Sequence, residues 1–288
     1  MNDSSPCQAD EPFRVRKLGR DEVGLYRQWA DGEGWNPGRH DGPCFFDADP
    51  EGFFVGELAG EPVACISCVR FSDEFGFLGQ YIVKPEHRGK GFGVRVWSAG
   101  MAHLNGCNVG LDGVLEQVPN YEKSGIRPSH QHVRFGGTMA GKLLPGVVRL
   151  DSVPFADVAA FDRTCYPAAR ETFLRGWIEQ SESVALGFVK DGQLAGFGCA
   201  RRASDGFKVG PLFADDRTSA EALLLGLAKE TGEVLVIDVP ESSFHPTAEP
   251  LAISHGLTVL FKCARMYTRG RPAIDTAKVF GVTSLELG

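Results

Sequence analysis

The chain has 288 residues, of which 43% are hydrophobic and 23% are charged, as in an ordinary soluble globular protein. The formal net charge is −7 and both halves of the chain are mildly acidic, so no basic face emerges and we expect no nucleic-acid partner. No apolar run approaches the ~20 residues that cross a bilayer, and residues 1–6 lack the basic start and apolar core of a signal peptide. We therefore expect a cytoplasmic protein that has no contact with a membrane.

The length fits two domains of ordinary size, and the eight cysteines do not form a metal-binding pattern. Cys65 and Cys68 lie within one apolar run that predicts a buried strand, where residues three apart point to opposite faces. The other six cysteines are scattered. We expect free thiols, as in a reducing compartment, and no metal site.

In chain order, the first predicted strand covers residues 14–18, and the first helix covers residues 21–29 with Asp21 as its cap. The Gly- and Pro-rich stretch 31–50 predicts a long loop that covers a binding cleft. Three strands follow, near Phe53–Leu58, residues 62–71 and Phe75–Val83.

The third of these strands leads into the most informative motif of the chain, a glycine-rich loop followed by a helical pattern that ends near Leu104. Glycines at 89, 91 and 93 let backbone N–H groups approach an anion, and the first helical turn adds unpaired N–H donors. Arg88 and Lys90 add positive charge. The predicted ligand is a pyrophosphate. The glycine intervals fit neither a Rossmann fingerprint nor a Walker loop.

The pattern Arg88-x-x-Gly91-x-Gly93 resembles the acetyl-CoA loop of the GNAT N-acetyltransferases. The resemblance implies that the loop amides hold the CoA pyrophosphate and that the preceding strand pairs with the pantetheine arm, with the Val83 N–H as the oxyanion donor. The cofactor-binding residues implied are Tyr81, Ile82, Val83, Arg88, Gly89, Lys90, Gly91, Phe92, Gly93 and Asn120.

Beyond the helix, the pattern predicts a strand at residues 109–114, a short helix around 120–124 and a strand at 130–135. The short helix carries Asn120-Tyr121-Glu122-Lys123, which is similar to a family segment whose tyrosine protonates the CoA sulfur. The resemblance thus implies Tyr121 as the catalytic acid. A tyrosine that only packs on the core is the alternative.

The general base is less defined by the sequence. Some GNAT enzymes use a glutamate on the fourth strand, but this chain has Gln80 at the position closest to the thioester. Asp112 and Glu116 flank the end of the fifth strand and are our candidates, acting directly or through water, with Glu74 a third. Asp112 has a structural alternative, because Asp238 recurs at the equivalent position of the second half. The spacing of the seven histidines selects none of them.

The chain repeats itself with a period near 130 residues. The turn before Gly60 has an echo before Gly192, and three further segments match in the same order. The second copy has no glycine in its loop, which reads Ala214-Asp215-Asp216 and would repel a pyrophosphate. The second copy also resembles a domain that accompanies GNAT lobes in the YitH/HolE-like proteins, through segments at 206–215, 237–240 and 264–267.

These observations predict an α/β (α+β) fold of two tandem GNAT-like lobes, each with a mostly antiparallel mixed sheet flanked by helices. Residues 1–146 are the predicted acetyl-CoA-binding catalytic domain, and residues 147–288 a degenerate domain that contributes to the acceptor cleft. The resemblance implies an acetyl-CoA-dependent N-acetyltransferase that acts on a primary amine of a small molecule by direct attack, as a monomer or homodimer. A mildly acidic surface favours a cationic acceptor. The alternatives are an acyl-CoA-binding regulatory module and an acetyltransferase for peptide or protein amines.

Overall fold

A single mixed sheet of 13 strands runs through residues 13–288, the part of the chain that the computed structural model describes. Local sequence dictates most elements of its first half, where β-branched and aromatic runs alternate with glycine turns. The elements of this half are β1 (Phe13–Lys17), α1 (Gly24–Gly32), α2 (Asp41–Ala48), β2 (Phe53–Leu58), β3 (Glu61–Arg70), β4 (Phe75–Val83), α3 (Phe92–His103), β5 (Asn108–Val114), α4 (Val118–Lys123) and β6 (Arg127–Gly137).

The second half repeats this order. Its elements are β7 (Val147–Arg149), α5 (Phe155–Cys165), α6 (Glu171–Glu179), β8 (Ser183–Lys190), β9 (Gln193–Arg202), β10 (Phe207–Ala214), α7 (Arg217–Thr231), β11 (Leu235–Pro240), α8 (Ala248–Ser254), β12 (Thr258–Tyr267) and β13 (Val279–Gly281). The echo around Gly60 and Gly192 is real, because both lie in two-residue hairpin turns with positive φ at Ala59-Gly60 and Asp191-Gly192.

The two halves exchange strands at the centre of the sheet. The spatial order is β1-β2-β3-β4-β5-β12-β6-β11-β10-β9-β8-β7, with β13 beside β10. Strand β12 of the second half lies antiparallel to β5 of the first, and β6 of the first half lies antiparallel to β11 of the second. The predicted division at residues 146 and 147 stays a prediction along the chain, while the sheet itself is continuous across the halves.

Helices cover the sheet and complete the core. Val96 of α3 is fully buried with Ile66 and Cys68 of β3, and α7 buries Leu223 and Leu227 in the second half. Both Cys65 and Cys68 are buried in β3, as the sequence predicts. Across residues 13–288, none of the helices has the length and apolar character that a bilayer crossing requires.

Two local predictions are wrong. The loop predicted for residues 31–50 contains the helix α2, whose Phe45 is buried and stacks on Trp177 of α6 at 5.4 Å between ring centroids. Pro43 is tolerated there because it lies in the first turn, where its missing N–H has no helical partner to lose. Asp21 does not cap a helix; it lies within a short 3-10 turn. The side chain that bonds the start of this turn is that of Glu22, whose Oε2 accepts from the Gly19 N–H.

Candidate active site

The cleft begins where two neighbouring parallel strands separate. Strands β4 and β5 pair only from Phe75 with Asn108 to Leu78 with Leu111, although β4 continues to Val83. A bulge lies at this point, because Ser67 faces Gly79 and Cys65 faces Ile82, which leaves Gln80 and Tyr81 together opposite one residue of β3. Gln80 has a positive φ of 47°. The separation exposes an edge of β4 that β5 does not cover.

A cavity of about 1460 Å³ opens from this separation and reaches the second half of the chain. The first half lines it with β4, the glycine loop and the start of α3, and the second half with β12 and residues near 285. Of the predicted site residues, the cavity brings together Tyr81, Ile82, Val83, Arg88, Gly89, Gly91, Phe92, Gly93, Asp112 and Tyr121.

The glycine loop forms the open amino end of α3. Gly89 and Gly91 have φ of 74° and 80°, a left-handed conformation that favours glycine, and Gly91 is the residue that precedes the helix. Within the described part of the chain, no side chain caps this helix start. A Cβ at Gly93 would clash with the Tyr81 hydroxyl, so glycine is also required there. The first amides of α3 thus remain available to an anion.

The basic residues around the loop differ in position. Arg88 lines the cavity, where its Nε donates to the Val83 carbonyl at 2.8 Å and its other end forms an ion pair with Glu33. Lys90 is exposed and lies outside the cavity lining. Arg88 therefore joins the strand end to the loop, whereas Lys90 contributes charge from the loop surface.

Tyr121 packs against Trp97, which also packs against Tyr81. The ring of Trp97 on α3 lies between Tyr81 and Tyr121, with centroid separations of 5.5 and 5.8 Å. Burial raises the pKa of Tyr121 to about 12, with a smaller contribution from Tyr81. The phenol of Tyr121 is therefore protonated at neutral pH and is able to donate a proton.

Asp112 has the surroundings of a structural carboxylate. Its side chain is fully buried, and Arg265 of β12 donates to Oδ1 at 2.9 Å and to Oδ2 at 2.7 Å. Burial by itself would raise the pKa of Asp112, but the charges of Arg265 and His132 outweigh it and hold that pKa well below its usual range. A carboxylate so depressed is a weak proton acceptor, so the structure does not support Asp112 as the base.

The remaining two predictions lie outside the cavity lining. Glu116 is exposed in a short 3-10 turn after β5. Asn120 is exposed on α4, where its side chain bonds Gln117 at 2.9 Å and Lys123 at 3.2 Å. The structure therefore does not bring Glu116 or Asn120 to the chemistry that the sequence predicted for them.

Asp112, His132 and Cys263 offer possible metal-ligand atoms that lie within 4.8 Å of one another. The carboxylate oxygens are already bonded by Arg265, and Oδ1 also meets His132 Nδ1 at 3.0 Å. His132 in turn meets His130 at 3.2 Å, and burial lowers the pKa of His130 to about 2. Hydrogen bonds and the Arg265 charge thus account for this cluster as a buried polar network.

The second half closes the equivalent site in two ways. Asp216 caps α7, and its Oδ1 accepts from the Ser219 N–H at 2.8 Å, at the place where the first half leaves amides open. Strand β13 pairs with β10, and the Val282 N–H donates to the Asp238 carbonyl of β11 at 2.9 Å, so protein backbone fills the space between β10 and β11. Among the described residues, the second half therefore lacks the uncapped helix start and the open strand edge that the first half has.

Sequence reasoning missed three residues near the site, of which the second half supplies Arg265 and Glu286. Arg265 reaches Asp112 on β12 through the strand exchange, and His132 reaches it from β6, the last strand of the first half. Glu286 reaches the cavity from a segment about 195 residues beyond the glycine loop along the chain. The available signal for His132 was its place on the predicted strand at 130–135, and for Arg265 its place in the segment 264–267 that carries the resemblance of the second copy. For Glu286 no local pattern signals its position.

Comparisons with known proteins agree with this geometry. A model of the Acetyltransferase (GNAT) family matches residues 18–125, and a model of the Acetyltransferase (GNAT) domain matches residues 158–281. Holothin acyltransferase from Pseudoalteromonas sp. (strain SANK 73390) is 32% identical to this chain over an alignment of 290 residues, gaps included. The alignment covers 98% of this chain and 96% of that protein.

Two solved structures share the fold. A putative acetyltransferase from Pyrococcus horikoshii matches with a TM-score of 0.82 at 20% identity, covering 100% of this chain and 99% of the other. A tandem GNAT protein from the clavulanic acid biosynthesis pathway matches with a TM-score of 0.60 at 14% identity, covering 89% of this chain and 98% of the other.

The protein is a tandem-domain acyltransferase with a mixed, mostly antiparallel sheet flanked by helices. The chain belongs to the GNAT family of acyltransferases, with two GNAT domains in series. The resemblance of the second copy to the YitH/HolE-like proteins is consistent with these matches.

Proposed function

We propose that this protein is an N-acetyltransferase that moves the acetyl group of acetyl-CoA to a primary amine of a small molecule. The observation that carries the proposal is that one cavity contains both the uncapped amino end of α3 and the protonated phenol of Tyr121. The first suits an anion such as a pyrophosphate, and the second suits the departure of a thiolate.

The start of α3 fits the pyrophosphate of acetyl-CoA. Gly89, Gly91 and Gly93 leave no side chain between the backbone amides and the cavity, and Arg88 lines the same wall. Oxygen atoms of a pyrophosphate are acceptors for these amides, and the helix dipole favours their negative charge. Lys90 supports this site through its charge alone. Asn120 would need to turn from its α4 contacts to meet the pantetheine arm.

The uncovered edge of β4 suits the pantetheine arm. Residues 79–83 have no partner strand on the β5 side among the described residues, so the backbone there is free to bond an extended ligand. In this arrangement Tyr81, Ile82 and Val83 form the wall next to the thioester, and the Val83 N–H is the proposed donor to the developing oxyanion.

Tyr121 is the proposed acid. As the C–S bond breaks, its hydroxyl gives a proton to the thiolate sulfur, which makes CoA a better leaving group. The raised pKa of about 12 keeps that proton in place until it is needed. The attacking amine forms the new C–N bond directly in a ternary complex, with no acyl-enzyme. The seven described cysteines are all buried, and burial raises the pKa of each of their thiols. This includes Cys263, which lines the cavity.

The cavity also suits a small acceptor. Its volume of about 1460 Å³ exceeds what the acyl-pantetheine arm needs and extends between the two halves of the chain. The acidic net charge favours a cationic amine. The relative named holothin acyltransferase makes holothin a first acceptor to test. Free thiols at all seven described cysteines support a reducing cytoplasm as the location, for a monomer or homodimer.

The test is release of CoA from acetyl-CoA across a panel of small primary amines, holothin included, and short peptides, with the product identified by mass spectrometry. Chromatography should follow the CoA, because any of the chain's eight cysteines that a thiol reagent reaches would add to the signal. Acceptor-dependent release with a mass gain of one acetyl group supports the proposal. Tight acetyl-CoA binding without release for any acceptor would favour a regulatory module, and release only with peptides would favour a protein substrate.

A further inference from the structure

Residues 279–288, which we call the return segment, connect the second half of the molecule to the cleft of the first. The segment pairs with β10 as β13, and then crosses towards β4. There the Glu286 carbonyl lies against Gly79, where an added Cβ would clash with it, and Leu287 is fully buried. Gly79 lies in the bulge where β4 leaves β5. The return segment thus places Glu286 beside the bulge.

The side chain of Glu286 is buried and lines the cavity, and one of its oxygens is unused. Only 5% of the residue is exposed to solvent. Among the described residues, Oε2 has no hydrogen-bond partner, while Oε1 lies 3.6 Å from the Lys208 amine, beyond hydrogen-bond length. A buried carboxylate oxygen without a donor is costly, so this position favours a ligand that supplies one.

Two of the buried arginines in this part of the molecule are engaged by groups other than Glu286. Arg134 of β6 gives its Nε and Nη2 to Asp238 of β11 at 2.7 and 2.9 Å, and its Nη1 to the Trp35 carbonyl. Arg201 of β9 is paired with Asp41. Lys208 of β10 is the cation that forms an ion pair with Glu286, and burial lowers the pKa of Lys208, which weakens it as a permanent counter-ion.

Gln80 contributes to the same part of the cavity. It occupies the bulge with its positive φ, and its Oε1 also has no partner among the described residues. Two buried acceptor oxygens without partners thus belong to residues that line the cavity, Gln80 and Glu286, and the proposed thioester site lies at the β4 wall of the same cavity. A primary ammonium carries three N–H donors and matches such a pair of acceptors.

Building on the proposed function, we propose that Glu286 binds the ammonium of the acceptor and acts as its general base. Glu286 Oε2 takes one proton from R–NH₃⁺ and passes it to solvent. The freed nitrogen lone pair forms the C–N bond as the C–S bond breaks, and Tyr121 protonates the sulfur. The second proton lost by nitrogen reprotonates Tyr121 through solvent. One amide, one CoA thiol and one released proton balance one ammonium and one thioester.

A purely structural role is the competing explanation, because the Lys208 contact could fix the return segment in place. The two explanations differ in their effect on turnover and its pH dependence. Glu286→Gln keeps the shape and removes the base. Glu286→Asp keeps a carboxylate and should restore part of the rate. Glu57→Gln is the matched control, because Glu57 is equally buried but pairs with Arg14 and Arg16 on β1, outside the cavity lining.

The experiment measures kcat and KM against pH for the amine that wild-type protein acetylates best, with acetyl-CoA affinity by calorimetry and Tm as controls. We expect Glu286→Gln to lower kcat by about 10²–10⁴-fold and to remove the acid limb of the profile, with the acetyl-CoA Kd kept within about twofold. Glu57→Gln should change Tm and leave kcat of the folded protein unaltered.

Three outcomes would overturn a proposal. An unchanged acid limb and kcat in Glu286→Gln overturn the role of Glu286 while the proposed function stands. A loss of kcat in Glu286→Gln that comes with an equal loss of acetyl-CoA affinity, and that Glu286→Asp does not relieve, assigns Glu286 a structural role. Absence of transfer by wild-type protein to any acceptor overturns the proposed function and the base with it.

Discussion

Arg265 of β12 donates hydrogen bonds to both carboxylate oxygens of Asp112 on β5, with Nε–Oδ1 at 2.9 Å and Nη2–Oδ2 at 2.7 Å. A second pair mirrors it, because Arg134 of β6 bonds both oxygens of Asp238 on β11. Each pair links a strand contributed by one half to the fifth strand of the other. The two buried ion pairs therefore specify the strand exchange, and the carboxylate that the sequence offered as a base belongs to this interface.

The first prediction concerns Asp112 and Arg265. We expect Arg265→Met alone to lower the free energy of unfolding by about 3–5 kcal/mol, because it leaves a buried carboxylate without a counter-ion. The double change Asp112→Asn with Arg265→Met should recover most of this loss and keep kcat within several-fold of wild type. Urea unfolding and acetyl transfer measure the two effects. A large loss of kcat in a stable double variant would restore Asp112 as a base.

The same pair predicts the acid sensitivity of the fold. The folded-state pKa of Asp112 lies below the ordinary unfolded value of about 3.9, so its contribution is present above that pH and is lost as the pH falls below it. The double variant lacks this carboxylate. We expect its Tm to decline less than that of wild type between about pH 5 and pH 3, and an equal decline would contradict the assignment.

The second prediction concerns the glycine loop. Gly91→Glu should abolish acetyl-CoA binding while the protein stays folded, because it places a carboxylate at the open start of α3. Gly106→Glu is a matched control at the other end of the same helix. Gly106 also has a positive φ, of 93°, and open space around it, so the cost of backbone strain is similar. Calorimetric affinity that is unchanged in Gly91→Glu would overturn the loop assignment.

The third prediction concerns stoichiometry. Acetyl-CoA should bind once per chain, because Asp216 caps the start of α7 by accepting from the Ser219 N–H and β13 fills the gap beside β10. Calorimetric titration of the wild-type protein measures the ratio directly. Two sites per chain, or one site that survives Gly91→Glu, would show that the second half binds the ligand.

The fourth prediction concerns Tyr121. Tyr121→Phe should lower kcat by about 10²–10⁴-fold with acetyl-CoA affinity largely kept, since the phenol acts on the leaving sulfur. The acid form of Tyr121 is lost only as pH rises through its pKa of about 12. Wild-type kcat should therefore show no basic limb from this group below about pH 11. An unaffected rate in Tyr121→Phe would remove Tyr121 from the mechanism.

Local sequence sufficed for the parts of the fold that depend on neighbours in the chain. The three-stranded antiparallel meander from Phe53–Leu58 to Phe75–Val83 and the glycine loop follow from short-range patterns of apolar residues and turn residues. The same patterns predict a loop at residues 41–48, because glycine and proline are frequent around them. The structure has the helix α2 there, which burial of Phe45 and Phe46 stabilises. Tertiary packing there outweighs local propensity.

The candidate site was predictable only on the cofactor side. The spacing of the glycines from Gly89 to Gly93 is a local pattern that predicts an anion-binding loop. Arg265 and Glu286, in contrast, reach the site by strand exchange and by the return segment. Sequence separation of 150 residues or more leaves no periodic signal for such contacts. The sequence pattern points to β4 and β5 for the base, whereas the proposed base, Glu286, lies on the return segment.

A crystal structure with acetyl-CoA bound tests the central claim most directly. The account predicts one ligand per chain, with the pyrophosphate on the amides of Gly89 to Gly93 and the sulfur within hydrogen-bond distance of the Tyr121 hydroxyl. It also predicts that the thioester carbonyl faces the part of the cavity that holds Glu286. A pyrophosphate at the start of α7, or a sulfur remote from Tyr121, would contradict the account.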